Sequence, residues 1–162
     1  MAIRYTDQEI QRMIEVPKTL AKPVHELLQF KEKRGHKECH MDAVGEDGNA
    51  YEIRLRQSLK NPLDFSVILA LRPKDSNRLF RLRRHNGKSH EHKNAIEQDV
   101  FYDFHIHAST ERYQELGSDE DGFAEPTEAY TDIRTALVFL MHEANISAPQ
   151  GPQHDLFETE QR

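Results

Sequence analysis

The sequence predicts an α+β fold: an antiparallel sheet of about five strands, with a long C-terminal helix and a shorter N-terminal helix packed on one face. Two observations carry this prediction. Apolar and polar residues alternate over several segments, which is the pattern of a strand with one face in the core and one face exposed to solvent. An apolar stripe at helical spacing lies near the C-terminus, and helices that cover one face of an antiparallel sheet define the α+β class.

The N-terminal helix is predicted from a capping box, Thr6-Asp-Gln-Glu9. The threonine hydroxyl accepts a hydrogen bond from a free backbone N–H, and the glutamate reaches back to the cap residue. Pro17 limits how far this helix extends. Its apolar stripe consists of Ile10, Met13 and Ile14.

The strands follow from period-two alternation and from the turns between them. Residues 36–44 and 50–56 form a predicted β-hairpin around Gly45-Glu-Asp-Gly48-Asn49, and the segment 65–71 is almost continuously apolar, as in a central strand. Two later strands are predicted in the same way. In the first, Phe80 and Leu82 point inward and Arg81, Arg83 and His85 point outward. In the second, Tyr102, Phe104 and Ile106 point inward and Asp103, His105 and His107 point outward.

The C-terminal half predicts an acidic loop over residues 114–126 and a helix over residues 127–144. The helix has one apolar face, formed by Tyr130, Ile133, Leu137, Leu140, Met141 and Ala144. We find no linker and no internal repeat, so residues 1–147 are predicted to form a single domain. Residues 148–162 are predicted to be a disordered acidic tail.

Composition narrows the function classes. The chain has 162 residues, 36% of them apolar and 31% charged, which fits one modest core beneath a charged surface. No apolar run is long enough to cross a bilayer, and the N-terminus lacks the apolar segment of a signal peptide. The single Cys39 favours a reducing compartment, so a cytoplasmic protein is expected. No dinucleotide or phosphate-loop motif is present, and no cofactor is predicted.

Charge is distributed unevenly along the chain. The net charge is −6, but residues 72–93 contain eight Lys or Arg against two acids, whereas residues 114–128 contain six acids and no base. Local patches of this kind decide which partners a protein attracts. The basic segment therefore indicates contact with an anion, and the acidic segment 114–128 is a candidate surface for a protein partner.

The segment 78–108 is the best candidate for a functional site, because it holds five of the ten histidines and the densest run of arginine. Arginine matches phosphate oxygens, and histidine exchanges protons near neutral pH. These properties suggest RNA contact, and in its sharpest form a metal-independent ribonuclease. In that hypothesis His105 and His107 are the catalytic acid and base, and Arg81 and Arg83 bind phosphate.

Two alternatives come from the same residues. Four histidines, His90, His92, His105 and His107, are candidate ligands of a transition metal, because imidazole is a common metal ligand and the His-x-His pair shares one strand face. The other alternative is a non-catalytic protein-interaction module with a solvated charged sheet face, in which arginines pair with carboxylates across strands.

Short motifs in this segment resemble a family of small bacterial and phage-associated proteins of unknown function. They are Phe80-Arg-Leu82, Asn86-Gly87, the segment from His90 to Asn94, and His105-Ile-His107; the hairpin over residues 36–56 is also similar. The chain departs from that pattern at Phe104, where the family has a proline, and in its longer acidic loop and C-terminal helix. The resemblance implies an α+β fold and a bacterial or mobile-element origin, and it carries over no activity.

Overall fold

The computed structural model describes residues 4–117 and 119–150. Along these residues the elements are α1 (Asp7–Glu15), β1 (Lys18–Leu20), α2 (Val24–Leu27), β2 (Lys31–Lys33), β3 (His36–Gly45), β4 (Ala50–Ser58), β5 (Phe65–Arg72), β6 (Phe80–Asn86), β7 (His92–Lys93), β8 (Val100–Phe101), β9 (His105–Ala108), α3 (Glu111–Leu116), β10 (Phe123–Pro126), α4 (Ile133–Glu143) and β11 (Ile146–Ser147). The α+β class is confirmed.

The main sheet has nine strands in the described part of the chain, in the order β10-β9-β6-β5-β4-β3-β1-β11, with β2 paired to β3. Neighbouring strands are antiparallel, except that β1 and β11 run parallel. The predicted number of about five strands is therefore too low. The strands missed, β1, β2, β10 and β11, have two to four residues each, which is too short for an alternating pattern to be recognised.

The helices α1 and α4 cover one face of the sheet and close the hydrophobic core over β3–β6. Both begin with a capping box, at Thr6 as predicted and at Asp132, where Thr135 supplies the returning side chain. The predicted helix over residues 127–144 is too long, because α4 begins only after Asp132. Tyr130 nevertheless is buried, and its hydroxyl, which has one proton to donate, lies 2.7 and 2.8 Å from the carbonyl oxygens of Asn86 and His105.

A β-bulge in β6 changes which of its side chains share a face. Ala70 pairs with Arg81 and Leu69 pairs with Arg83, so Leu82 between them has no partner of its own. An extra residue of this kind reverses the in–out alternation beyond it. The predicted face of Arg81, Arg83 and His85 is therefore wrong: His85 is fully buried against α4, and its ring stacks on Tyr130 with centroids 5.4 Å apart.

The predicted last strand, residues 100–108, is divided between two sheets. β8 pairs with β7 in a two-stranded ribbon, and only β9 joins the main sheet. His105 and His107, predicted to face outward, have relative exposures of 0% and 4%. Tyr102, predicted to face inward, is 51% exposed. The ribbon packs over the histidines, since the Phe101 ring lies 5.7 Å from that of His105.

The acidic segment 114–128 is largely structured. α3 ends in it, β10 pairs with β9, and Glu120 and Asp121 are buried. Their carboxylates meet Arg78, Arg81 and Arg84. The prediction of a continuous acidic loop is therefore wrong. Most of the predicted disordered tail lies outside the described residues. In residues 4–117 and 119–150, no helix has the length and apolar character required to span a bilayer.

Candidate functional site

The register of four strands aligns two rows of mostly polar residues on the sheet face opposite α1 and α4. In the first row Arg56 pairs with Ser66, Ser66 with Asn86, and Asn86 with His105. In the second row Ile68 pairs with Arg84, and Arg84 pairs with His107. Directly paired residues in adjacent strands have side chains on the same face and in reach of one another. The two histidines of β9 therefore lie beside an asparagine and an arginine of β6.

Three imidazoles converge above these rows. His92, His105 and His107 each offer one ring nitrogen, and the three nitrogens lie within 4.8 Å of one another. The His92 ring is 5.4 Å from His105 and 4.8 Å from His107, centroid to centroid, and the last two are 5.0 Å apart. Side chains from β7 and β9 thus form one cluster, which we call the histidine centre.

Each member of the histidine centre has a hydrogen-bond partner for one ring nitrogen. The Nδ1 atom of His105 lies 2.8 Å from the carbonyl oxygen of Asp103, and Nδ1 of His107 lies 2.7 Å from that of Asp121. A carbonyl oxygen only accepts, so each Nδ1 carries the proton and donates it. In a neutral ring the Nε2 atom then has a lone pair available for another ligand.

His92 is held in the opposite tautomer by Asn94. Its Nε2 atom lies 2.9 Å from Asn94 Oδ1, which also accepts from the Ala124 N–H at 2.8 Å. The other end of the amide, Nδ2, donates to the Ala124 carbonyl oxygen at 2.8 Å and to Asp99 at 3.0 Å. Because the backbone of Ala124 fixes which end of the amide is oxygen, His92 donates from Nε2 and retains a lone pair on Nδ1.

Burial keeps two members of the centre neutral. Desolvation lowers the pKa of His105 to about 4, against the weaker raising effect of its bond to Asp103. Desolvation, with the nearby Arg84 guanidinium, lowers the pKa of His107 to about 2. Both imidazoles are therefore uncharged at pH 7, the form that ligates metals.

Arg84 and Asp121 form a buried charge pair beside the histidine centre. Arg84 Nε lies 3.1 Å from Asp121 Oδ2, and Arg81 also contacts Asp121 at 3.3 Å. Burial lowers the pKa of Arg84 and raises that of Asp121, and their mutual attraction opposes both shifts. Asp121 therefore has two roles: its carboxylate offsets the arginines, and its carbonyl oxygen orients His107.

A cavity of about 210 Å³ opens on the same face, next to the histidine centre. Its lining includes Arg56, Ser66, Arg84, Asn86, Ser89 and His90. Asn86 connects the cavity with the centre, because its Nδ2 atom lies 3.4 Å from His105 Nε2. Asn86 is only 7% exposed, and its Oδ1 atom has no hydrogen-bond partner among the described residues.

The residues predicted from the sequence are only partly brought together. His92, His105 and His107 converge, whereas His90 is exposed, with its ring 5.9 Å from that of His105. Arg81 lies among three carboxylates, Asp119, Glu120 and Asp121. Arg83 is on the opposite face, where its Nε atom is 2.9 Å from Glu143. The roles proposed for Arg81 and Arg83 in phosphate binding stay predictions.

Four residues of the site were missed by sequence reasoning: Arg84, Asn86, Asn94 and Asp121. Arg84 and Asn86 reach this face only because of the bulge at Leu82. Asn86 and Asn94 lie within motifs that the sequence had singled out, Asn86-Gly87 and His90 to Asn94, but they were interpreted as turn and loop residues. Nothing in the sequence distinguishes Asp121 from the other acidic residues of the segment 114–128.

A second group of potential metal ligands lies elsewhere on the same sheet face, at His40, Asp42 and Glu52. His40 and Asp42 are exposed. The buried Glu52 carboxylate contacts both Arg54 and Arg72, so its charge is already paired. This group is therefore a less suitable metal site than the histidine centre.

Comparison of the chain with protein-family models, with curated proteins and with solved structures finds no match. The function must therefore be inferred from the geometry of the site.

Proposed function

We propose that the protein binds a divalent transition metal, zinc by the chemistry of its ligands, at His92, His105 and His107. The observation that carries the proposal is the pairing of each imidazole with an oxygen acceptor, at 2.7 to 2.9 Å, which leaves the second nitrogen of each ring without an oxygen partner. In His105 this second nitrogen has only a long contact with the Asn86 amide, at 3.4 Å, which a metal would replace. Histidines that ligate metals almost always donate their second N–H to such an oxygen. Imidazole nitrogen is a preferred ligand of zinc.

The spacing of the three nitrogens is compatible with a centre that tightens on binding. Tetrahedral zinc with Zn–N bonds of 2.0–2.1 Å requires nitrogens about 3.4 Å apart, whereas one ring nitrogen of each histidine lies within 4.8 Å of one nitrogen of each of the other two. Movements of about an ångström close this difference. His92 is the least buried member, since it is half-buried and belongs to the two-residue strand β7 of the outer ribbon, whereas His105 and His107 are buried.

A centre with three protein ligands has a fourth position for water or for a ligand atom. Structural zinc sites usually have four protein ligands, whereas catalytic sites have three and an open position. Asn86 is next to this position, because its amide is adjacent to His105 Nε2. The arrangement therefore favours a metal that meets a small molecule or a substrate, over a metal that only holds the fold together.

Metal analysis of protein produced without a histidine tag tests this proposal. We expect about one zinc per chain after growth in zinc-supplemented medium, and loss of that zinc in His92→Ala. The matched control is His90→Ala, which removes an exposed imidazole from the same loop and should retain the metal. Absence of zinc in the wild type, or equal zinc in both variants, would contradict the assignment. Circular dichroism of each variant checks that it is folded.

Metal-independent cleavage of RNA is a second candidate function, favoured by the row of Arg56, Ser66, Asn86 and His105 across the sheet. It has less support than the metal centre, because a neutral His105 and a neutral His107 cannot both serve as base and as acid at pH 7. The test is incubation of RNA with the protein in EDTA. Equal cleavage by the wild type and by His105→Ala rejects this function.

A further inference from the structure

The cavity beside the histidine centre has the chemistry of an anion site. It is lined by two guanidinium groups, from Arg56 and Arg84, and by the His90 imidazole. Each guanidinium has one carboxylate nearby: Asp64, on the cavity wall, is 3.9 Å from Arg56, and Asp121, outside the lining, is 3.1 Å from Arg84 Nε. The planar fork of arginine fits the oxygens of a phosphate, and two such groups in one cavity favour a dianion or a phosphodiester.

The strand register explains why these groups surround one space. Arg56 and Asn86 are both cross-strand partners of Ser66, so they flank it on the same face. Arg84 precedes Asn86 by two residues in β6 and therefore points to that face as well. Ser66 and Ser89 add hydroxyl groups to the lining. Arg56, Ser66, Arg84 and Asn86 are positioned by neighbouring strands of the sheet, whereas Ser89 and His90 come from the segment that follows β6.

Asn86 provides a second, independent indication of a ligand. A buried polar atom without a partner costs about 1–3 kcal/mol, so such atoms in native proteins usually meet a ligand or water. Asn86 Oδ1 is one of these atoms, and it is an acceptor that requires a donor. A hydroxyl group near a phosphate, as in a ribonucleotide, supplies that donor while the arginines hold the phosphate oxygens.

We infer that this cavity binds the phosphate group of a phosphoester, held by Arg56 and Arg84 with its hydroxyl-bearing side toward Asn86. The inference does not require the metal, because the lining described above excludes His92 and His107. It extends the proposed function, since Asn86 connects the bound phosphoester with the open position of the histidine centre. The phosphate group can come from a free ribonucleotide or from an RNA chain, since both contain a phosphoester beside a ribose hydroxyl.

Calorimetric titration of the full chain tests this inference with two probes, adenosine monophosphate and an oligoriboadenylate of five residues. The variant Arg56→Gln removes an exposed cation of the cavity, and we expect about tenfold weaker binding. The matched control is Arg54→Gln, two residues earlier in β4 on the same sheet face, and we expect less than about a twofold change. Whichever probe binds more tightly to the wild type identifies the source of the phosphate.

The outcomes are distinct from those of the metal experiment. Binding that Arg56→Gln weakens and Arg54→Gln retains supports the inference, whether or not His92→Ala has lost its metal. A second variant, Arg84→Lys, retains a positive charge beside Asp121 but lacks the planar guanidinium group that matches phosphate oxygens. It should also weaken binding of the phosphoester. If neither probe binds the wild type at millimolar concentration, or if Arg54→Gln and Arg56→Gln weaken binding equally, the inference is overturned.

Discussion

His92 Nε2 and Asn94 Oδ1 lie 2.9 Å apart, with His92 in β7 and Asn94 directly after it. Asn94 is fully buried, and it also pairs with both backbone polar groups of Ala124 in β10. The Asn94 side chain thus joins the β7–β8 ribbon to β10, the edge strand of the main sheet. This connection brings His92 over the two histidines of β9 and fixes its tautomer, so Asn94 is a positioning residue for the whole histidine centre.

Asn94→Ala should weaken zinc binding by about 10- to 100-fold, the usual effect of removing an outer partner of a metal ligand. The substitution leaves His92 in place but removes the acceptor that orients it. Competition with a chromophoric chelator measures the zinc affinity. Asn77→Ala, at an exposed turn position, is the control and should leave the affinity unchanged. An affinity equal to the wild type in Asn94→Ala would mean that the ribbon does not position His92 for a metal.

The metal-free protein should lose stability as the pH falls from about 6.5 toward 4. The folded pKa of His105, about 4, is below its ordinary value of 6.5, so over this range the unfolded chain binds more protons than the folded one. Stability therefore rises with pH, by on the order of 3 kcal/mol across the window for this group. Denaturant unfolding at a series of pH values measures the slope. His105→Gln should reduce the slope, and the part that comes from His107, whose pKa is also lowered by burial, should remain.

The histidine centre shows which parts of a site can be predicted from sequence. The spacing of His105 and His107 predicted that both side chains share one strand face, since that depends only on local geometry. The approach of His92 depends on the ribbon of β7 and β8, whose strands have two residues each, and on the distant partner Ala124. No local pattern records such a contact, so His90 and His92 appeared equivalent in the sequence.

The arginines show a different limit. Alternation over residues 79–85 predicted Arg81 and Arg83 on one face, and a regular strand would have placed them there. The bulge at Leu82 separates them and brings Arg84 beside His107 instead. Arg81, Arg83 and Arg84 cannot be distinguished by their sequence pattern. The bulge that separates them depends on how β6 pairs with β5. The long strands and the first helix, by contrast, were predictable because their periodicity and caps are local.

Gly87→Ala should destabilise the fold by about 1–3 kcal/mol and reduce phosphoester binding. A Cβ at this position would clash with the Leu63 carbonyl oxygen and would lie 2.8 Å from the Phe65 ring, so the wall of the cavity would have to shift. Denaturant unfolding measures the first effect and calorimetric titration the second. The control is Ser89→Ala, which alters the same wall without adding volume. Wild-type stability in Gly87→Ala would show that this close approach is not required.

Lys18→Met should destabilise the protein by about 2–4 kcal/mol, through a contact far from the histidine centre. The Lys18 side chain is buried, and its Nζ donates to the carbonyl oxygens of Ile14, Val16 and Ala144 at 2.8, 2.8 and 2.9 Å. These carbonyls lie at the ends of α1 and α4, where the backbone lacks partners within the helix.

Methionine fills a similar volume but supplies no donor, so in Lys18→Met two buried acceptors and one half-buried acceptor would lose their partner. Burial lowers the pKa of Lys18 to about 8, so the ammonium form still dominates at pH 7 and its loss should be measurable there. Lys22→Met, at an exposed position, is the control for removal of a positive charge. Equal midpoints of urea unfolding for the two variants would show that Lys18 does not join the helix ends. Zinc content should be the same in both, because neither lysine is near the histidine centre.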